Sequence, residues 1–292
     1  MALEDVCQFQ TSQMDYKWLT NDCNLEWRIP NQDILLNLAL PNSTNFHCIP
    51  SHQPIRRPFP LTHGTTTLGF IYQGGVIAAA DTRASAGGLV ADPAVSKITP
   101  IHSHLVVTSS GSGADCMLWE RILMREIRLY QLRHKRRLSI SGTAKLLSVM
   151  LHPFKGTDVC VALTLCGWDK GPTPATTQST SLHGGPSLIY VCSDGERLHG
   201  NVFSVGSGSP YAYGILDRAL QWNMSKDEAI SVAREAVFRA THRDAYSGNN
   251  VDIFHVTTDG WSRRQREDLK KEYYQRKDAK KRDDHEHLKG PL

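Results

Sequence analysis

The order of the periodic segments is the feature of this sequence that most constrains its fold. In TTTLGFIYQGGVIAAADTR, two apolar strand-like runs are separated by Gly74 and Gly75, which predicts a hairpin in which both glycines supply the positive φ of a tight turn. A further strand, two amphipathic helices, more strands, two more helices and a last strand follow. Strands in two clusters with helices in pairs predict two sheets covered by helices, an α+β fold with largely antiparallel pairing.

Several elements carry local signals. The stretches ADCMLWERILMREIRLYQL and SGTAKLLSVMLHPF each place apolar residues on one face at helical spacing. SLIYVCSDGERLHGNVFSVGSG predicts a hairpin around Asp194 and Gly195, and the helix of PYAYGILDRALQW has Pro210 near its first turn. Ser225 and Glu228 form an S-x-x-E capping box, which marks the start of the last of these helices.

Composition excludes several classes of protein. The 292 residues contain seven cysteines without a CxxC pair, and the acidic start lacks a long apolar run, so we expect reduced thiols, no zinc and no signal peptide. No stretch approaches the roughly 20 apolar residues that span a bilayer. The net charge of +4 resides in residues 263–292, which hold 11 Lys or Arg and 7 Asp or Glu. Such a mixed-sign tail predicts a solvated helix or a disordered arm rather than a nucleic-acid patch.

Two glycine-rich corners precede predicted helices. GSGAD and GSGSPYAYG both lack the third glycine of a dinucleotide-binding fingerprint, which argues against a dinucleotide fold. Gly111–Gly113 lies at a helix N-terminus, where free N–H groups favour a negative charge or a developing oxyanion. The same corner is also compatible with a plain turn.

Three threonines, Thr65–Thr67, follow Gly64 at the point where an irregular leader gives way to the first strand. One interpretation is that these β-branched residues begin an edge strand. The other is that Thr65 is a nucleophile, because a threonine that is the first residue of a chain can use its own α-amine, with a pKa of about 8, as the base. This requires cleavage before Thr65, and Gly64 permits the tight turn that brings the hydroxyl to the preceding carbonyl.

The sequence resembles a known family. GTTTLGF, GVIAAADTRASAG, SGSGADCMLWERI, LCGWDKGP, FSVGSGSPYAYGILDR and THRDAYSGNNVDIFHV are similar, in order and spacing, to the chymotrypsin-like catalytic beta subunits of the proteasome core particle. The resemblance covers residues 63–261 apart from the loop near 171–186. The opening MALEDVC and the serine in VTSSGSG most resemble the thymus-specific variant of that subunit.

The resemblance implies a fold and a domain organisation. The fold is an α+β, four-layer αββα sandwich of the N-terminal-nucleophile hydrolase type. Residues 1–64 are a propeptide removed by autolysis at the Gly64–Thr65 bond, and residues 65–262 are the catalytic domain with an inserted loop near 171–186. Residues 263–292 are a charged C-terminal tail.

The resemblance also implies catalytic residues. Thr65 is the nucleophile with its α-amine as base, and Asp81 holds a cationic Lys97 that lowers the pKa of the Thr65 hydroxyl. Arg83 buttresses the Asp81–Lys97 pair. Ser207, Asp244 and Ser247 form the supporting network around the amine. The N–H of Gly111 is the oxyanion donor.

By the same resemblance, a substrate pocket receives the side chain before the scissile bond. Its lining residues are Ala84, Val95, Thr99, Ser109 and Gly113, and the substrate strand bonds to Ser85 and Gly111. Housekeeping members of the family have bulkier apolar side chains in place of Thr99 and Ser109. We therefore expect weaker cleavage after Leu, Phe and Tyr than in those members, and better tolerance of small or polar residues.

The implied partners are other proteasome alpha and beta subunits in stacked seven-membered rings, and polypeptide substrates. No metal or organic cofactor, nucleic acid or membrane is expected, and the expected location is cytoplasm and nucleus. The implied function is a threonine endopeptidase that supplies peptides for MHC class I presentation in the thymus. The alternative is a non-catalytic structural beta subunit of the same particle, against which the presence of Gly64, Thr65, Asp81 and Lys97 argues.

Overall fold

A computed structural model of the chain describes residues 64–169 and 184–287, with residues 279–287 as backbone only. These residues belong to one compact unit, Phe59–Leu292. The expected propeptide at 1–64 lies outside the described residues except for Gly64, and so does most of the expected insertion at 171–186.

Strands and helices alternate in groups along the described chain. The strands are β1 (Thr67–Tyr72), β2 (Gly75–Asp81), β3 (Ala84–Ala86), β4 (Leu89–Asp92), β5 (Ile98–His102), β6 (Leu105–Gly111), β7 (Val161–Asp169), β8 (Gly185–Cys192), β9 (Arg197–His199), β10 (Val202–Val205), β11 (Asn250–Thr257), β12 (Gly260–Arg263) and β13 (Glu267–Asp268). The helices are α1 (Gly113–His134), α2 (Ile140–Leu151), α3 (Ser209–Ala219), α4 (Lys226–Arg243) and α5 (Leu269–His287), and a short 3-10 turn, His152–Phe154, follows α2.

The strands form two large sheets and one small ribbon. The first sheet has the order β10-β1-β2-β11-β12, with β13 also paired to β11, and the second has the order β5-β6-β7-β8-β9. β3 and β4 form the ribbon. Within the described ranges all these pairings are antiparallel. The mixed helix and sheet content agrees with the α+β class that the sequence predicts.

The β1–β2 hairpin is buried on both faces. Alternate side chains of a strand point to opposite faces, so Phe70 and Ile77 pack under α3 and α4 while Val76 and Ala78 pack against the second sheet. The sequence predicts positive φ at both turn glycines, and this is wrong for Gly74, since only Gly75 has it (φ 136°). Gly74 is needed for space instead, because a Cβ there would lie 2.7 Å from the Tyr72 ring.

Helices cover the outer face of each sheet. On α4 the buried face is rich in alanine, whose small side chains let the helix lie close to the first sheet. The predicted capping box at its start is confirmed: the Ser225 hydroxyl accepts from the Glu228 N–H, and the Glu228 carboxylate accepts from the Ser225 N–H. On α1 the residues buried towards the second sheet are Cys116, Trp119, Glu120, Leu123 and Ile127.

The segment after β8 leaves its sheet. β8 and β9 form the predicted hairpin around Asp194 and Gly195, and Gly195 has φ 80°. The chain then passes from the second sheet to the first, where β10 pairs with β1 and Val205 lies opposite Thr67. This crossing brings the residues that follow β10 to the start of β1.

Residues Leu269–His287 of the charged tail form α5. The start of the tail is packed rather than solvated: Leu269 is buried in the core, and Arg234 of α4 pairs with Glu267 of β13 and with Glu272 of α5. Among the described residues, no helix combines the length and the apolar character needed to cross a membrane.

Candidate active site

The three threonine hydroxyls before and at the start of β1 each have a different partner. Thr65 Oγ1 donates to Asp81 Oδ1 over 3.1 Å, Thr66 Oγ1 lies 2.8 Å from Ser247 Oγ, and Thr67 Oγ1 lies 2.9 Å from Ser110 Oγ. All three side chains are buried, and only Thr67 belongs to the strand. A plain edge strand does not require three buried hydroxyls with partners on three other segments.

Asp81 is the centre of the site. It is the last residue of β2 and is fully buried. Its carboxylate accepts from five donors, which exceeds the roughly four lone-pair sites of a carboxylate. Besides the Thr65 hydroxyl these donors are Lys97 Nζ at 2.6 Å and Thr66 N at 2.9 Å on Oδ1, and Gly248 N at 2.8 Å and Arg83 N at 3.1 Å on Oδ2.

Lys97 and Thr65 share one oxygen of Asp81, since both donate to Oδ1. Lys97 is 7% exposed. Burial lowers the pKa of its ammonium, and the charge and hydrogen bond of Asp81 oppose that change. A cation held this close to the Thr65 hydroxyl stabilises the alkoxide that forms when the hydroxyl loses its proton.

Arg83 contacts the site in two ways. Its backbone N–H donates to Asp81, but its guanidinium donates to Asn249 Oδ1 at 2.8 Å and to the Ala245 carbonyl at 2.9 Å. The side chain therefore holds the loop after α4, which carries Ser247, and the Asp81–Lys97 pair receives its support from the backbone.

A second network surrounds the backbone nitrogen of Thr65. Thr65 N donates to Ser207 Oγ over 3.0 Å, and Ser207 Oγ donates to Asp244 Oδ2 over 2.6 Å. Ser247 Oγ donates to the same Asp244 oxygen over 2.6 Å. In the uncut chain Thr65 N is a peptide N–H, and a free amine at this position would keep the bond to Ser207.

The corner between β6 and α1 lies near the same strand end. Ser110, the residue before Gly111, bonds to Thr67 through its hydroxyl. Gly111 has φ 112°, and a Cβ there would lie 2.5 Å from the Cys160 carbonyl, so both conformation and space require glycine. Ser112 is the N-cap residue of α1, but its side chain makes no capping hydrogen bond. The N–H groups of the first helical turn therefore receive no hydrogen bond acceptor from the Ser112 hydroxyl.

Comparison with known proteins gives a consistent result. A model of the proteasome subunit family matches residues 61–256. Proteasome subunit beta type-8 of Canis lupus familiaris is 43% identical over 219 residues, which cover 75% of each chain. Proteasome subunit beta type-5 of Dictyostelium discoideum is 41% identical over 222 residues, 76% of this chain and 77% of that protein. The chain is a proteasome beta subunit. Beta type-5 of Gallus gallus is 44% identical over 203 residues, 70% of this chain and 74% of that protein.

Several of the residues that are expected to line a substrate pocket in this proteasome subunit lie on or next to the segment that carries Lys97. The Lys97 carbonyl accepts from the Ser109 N–H at 2.9 Å, and two residues further on Thr99 Oγ1 donates to Glu120 Oε2 at 2.8 Å. Val95 bonds through its N–H to Thr82, close to Ala84 and Ser85 of β3. A Cβ on Gly113 would face open space.

The sequence of this proteasome subunit did not predict the contacts of two groups of residues near the site. Thr66 and Thr67 were expected only as strand residues, yet each makes a buried hydroxyl contact. Glu120 is a carboxylate on the buried face of α1, and the signal for it was a charged residue at helical spacing from Cys116 and Leu123. In the part of the chain that the structure describes, no cluster of three or more His, Cys, Asp or Glu is placed to hold a metal ion.

Proposed function

We propose that this proteasome beta subunit is a threonine endopeptidase that hydrolyses peptide bonds of polypeptide substrates, with Thr65 as the nucleophile. The observation that carries the proposal is that the Thr65 hydroxyl and the Lys97 ammonium share Asp81 Oδ1, while the Thr65 nitrogen bonds to the Ser207–Asp244 pair. One residue thus has its hydroxyl next to a cation and its nitrogen next to an acceptor.

The first reaction is removal of residues 1–64. The Thr65 hydroxyl attacks the Gly64 carbonyl, its proton passes to the Thr65 nitrogen, the bond from the carbonyl carbon to that nitrogen breaks, and an ester to Oγ1 replaces the amide, which frees the α-amine. Water then cleaves the ester, which releases the leader as a carboxylic acid and restores the Thr65 hydroxyl. Before this step the nitrogen is acylated and cannot act as a base.

The second reaction is peptide hydrolysis by the mature subunit. The α-amine takes the hydroxyl proton, Oγ1 attacks the scissile carbonyl, and the Gly111 N–H stabilises the oxyanion. The α-ammonium returns the proton to the leaving amine, and water cleaves the resulting ester in the same way. Asp81 and Lys97 keep the hydroxyl polarised, and Ser207 with Asp244 and Ser247 orients the amine.

Assembly and biological role belong to the same proposal. The packing of helix pair, sheet, sheet and helix pair supports assignment to the αββα sandwich of the N-terminal-nucleophile hydrolases. Family membership supports assembly with other proteasome alpha and beta subunits in stacked seven-membered rings. We propose further that the subunit is the thymus-specific variant, acts in cytoplasm and nucleus, and supplies peptides for MHC class I presentation. The hydroxyls of Thr99 and Ser109 in the expected pocket support this finer assignment.

The test is the N-terminus of the subunit in assembled particles, measured by mass spectrometry. The wild-type subunit is expected to begin at Thr65. Thr65→Ala is expected to keep the leader and to show no turnover, whereas Thr65→Ser, which retains a hydroxyl, is expected to be cleaved at the same bond. A wild-type subunit that begins at another residue, or a Thr65→Ala subunit that still loses its leader at this bond, contradicts the mechanism.

A further inference from the structure

An exposed serine follows two arginines in the segment that joins α1 to α2. Residues 135–139 of this segment form neither helix nor strand and include the sequence RRLS, in which Arg136 and Arg137 precede Ser139. In the 292 residues, no other serine or threonine follows two adjacent arginines with one residue between. Ser139 is the N-cap residue of α2, where its hydroxyl accepts from the Gly142 N–H at 3.0 Å. Serine kinases with acidic substrate grooves select this charge pattern.

A cavity of about 220 Å³ lies beside this serine. Its lining includes Arg137, Ser139, Asp169 and His102, the last residue of β5. β5 begins directly after Lys97 and ends at His102, so the cavity lies at the end of the second sheet away from the candidate active site. Substitutions in the cavity therefore leave the catalytic contacts in place.

His102 contributes a donor without a partner to this cavity. Its Nδ1 accepts from the His104 N–H at 3.1 Å, so the proton of the neutral ring is on Nε2, at the distal end of the side chain. Nε2 is buried, and no residue that the structure describes bonds to it. Because a buried donor without an acceptor costs stability, an acceptor that reaches Nε2 stabilises the folded chain.

Arg137 contributes a positive charge with free donors. Its Nη1 donates to Ser103 Oγ at 3.3 Å and to His104 Nδ1. His104 accepts there because its own proton is on Nε2, which donates to the Thr258 carbonyl at 2.8 Å. Among the described residues, Nε and Nη2 of Arg137 have no partner, so the guanidinium keeps N–H groups for an anion.

We propose that Ser139 is a phosphorylation site for an arginine-selecting serine kinase, and that Arg137, His102 and the N-terminus of α2 hold the phosphate. In the kinase, the Ser139 oxygen attacks the γ-phosphorus of ATP, the bond from that phosphorus to ADP breaks, and the hydroxyl proton passes to the kinase. The phosphate carries about 1.5 to 2 negative charges, which a helix N-terminus and an arginine both stabilise. The inference does not depend on the proposed peptidase function.

Asp169 is the group in the cavity that opposes a phosphate. Its carboxylate accepts from the Ile140 N–H, at the start of α2, over 2.9 Å. Asp169→Asn keeps an oxygen for that N–H and removes the negative charge. Phosphorylation is therefore expected to stabilise the Asp169→Asn chain more than the parent chain.

The test uses the full-length chain with Thr65→Ala, treated with ATP and cyclic-AMP-dependent protein kinase as the probe. Phosphopeptide mass spectrometry is expected to find the phosphate on Ser139. Ser225 is the matched control, since it is also an exposed N-cap serine but has no arginine before it and bonds to Glu228. Ser225 is expected to stay unmodified.

Equilibrium unfolding in guanidinium chloride then compares each chain with and without phosphate. Phosphorylation of the parent chain is expected to lower the equilibrium constant for unfolding at least about tenfold, because charged hydrogen bonds form to groups that lacked partners. The same treatment of Ser139→Ala is expected to change nothing. In His102→Phe, which keeps a ring but has no N–H, the gain is expected to shrink severalfold.

The cost of each substitution cancels, because the phosphorylated and unphosphorylated forms of one variant are compared. If His102→Phe does not fold, Asp169→Asn still tests whether the phosphate lies in the cavity. The inference is overturned by a folded parent chain without phosphate on Ser139, or by equal modification of Ser225. A phosphate on Ser139 that leaves the unfolding constant unchanged or raises it, or a gain that is the same in every variant, also overturns it.

Discussion

Replacement of Lys97 by Met tests the buried ion pair at the centre of the site. Met fills the volume of the lysine stem, so the main change is loss of the ammonium that lies 2.6 Å from Asp81. Removing one partner of a buried pair costs about 3–5 kcal/mol because a buried charge is left uncompensated. Asp81 keeps four other donors, which places the expected loss near the lower limit, at about 3 kcal/mol.

Replacement of Asp81 by Ala is expected to cost more. It leaves the Lys97 ammonium buried and also removes the acceptor of three backbone N–H groups, those of Thr66, Arg83 and Gly248. A buried donor without a partner costs about 1–3 kcal/mol, so the three together add at least about 3 kcal/mol to the loss. The total approaches the whole stability of an ordinary domain, which is about 5–15 kcal/mol.

The assay is equilibrium unfolding of the uncut chain in guanidinium chloride, with Thr65→Ala present in every variant so that all chains have the same length. The free energy of unfolding follows from linear extrapolation. Lys97→Met is expected to shift the midpoint while the chain still folds, and Asp81→Ala is expected to shift it further or to prevent folding. A loss below about 1 kcal/mol for Lys97→Met, or an equal loss for both variants, refutes the reasoning.

Two further predictions concern the expected substrate pocket and the dependence of the free energy of unfolding on pH below neutrality. Ser109→Met is expected to raise kcat/KM for Leu and Phe substrates severalfold, because about 40 Å² of added apolar contact contributes about 1 kcal/mol, and unchanged kinetics on matched peptides contradict this. Burial, with the charges of Arg137 and His104, lowers the pKa of His102 to about 4. The unfolded chain then binds the proton first, so the free energy of unfolding is expected to fall as pH drops from 6.5 towards 4, and His102→Gln is expected to flatten that slope in denaturant titrations at several pH values.

Features set by neighbouring residues could be predicted from the sequence. The capping box of Ser225 and Glu228 closes within one helical turn, and the β1–β2 hairpin depends on two adjacent runs, so both are encoded locally. The role of Gly74 was misjudged because the Tyr72 ring that occupies its space is placed by packing rather than by the turn.

Features that depend on contacts between residues distant in the sequence could not be predicted from the sequence. The crossing of β10 to the first sheet depends on its pairing with β1, which lies far away in the sequence. Residues such as Asp81, Lys97 and Ser207 came from family resemblance, and nothing in their local sequence distinguishes them from a strand end, a surface cation and a turn. Glu120 was missed because its partner hydroxyls lie on other elements.

The site around Thr65 also sets the order of events in time. Thr65 is among the first residues of the folded domain to leave the ribosome, whereas Asp244 and Ser247 emerge only after α4 has been made. Ser207 bonds to both ends of this span, so the surroundings of the Thr65 nitrogen are incomplete until the second half of the domain has docked. Under the proposed chemistry, self-cleavage is therefore a checkpoint: a copy that stalls halfway through folding keeps its leader and never acquires a free amine with which to cut other proteins.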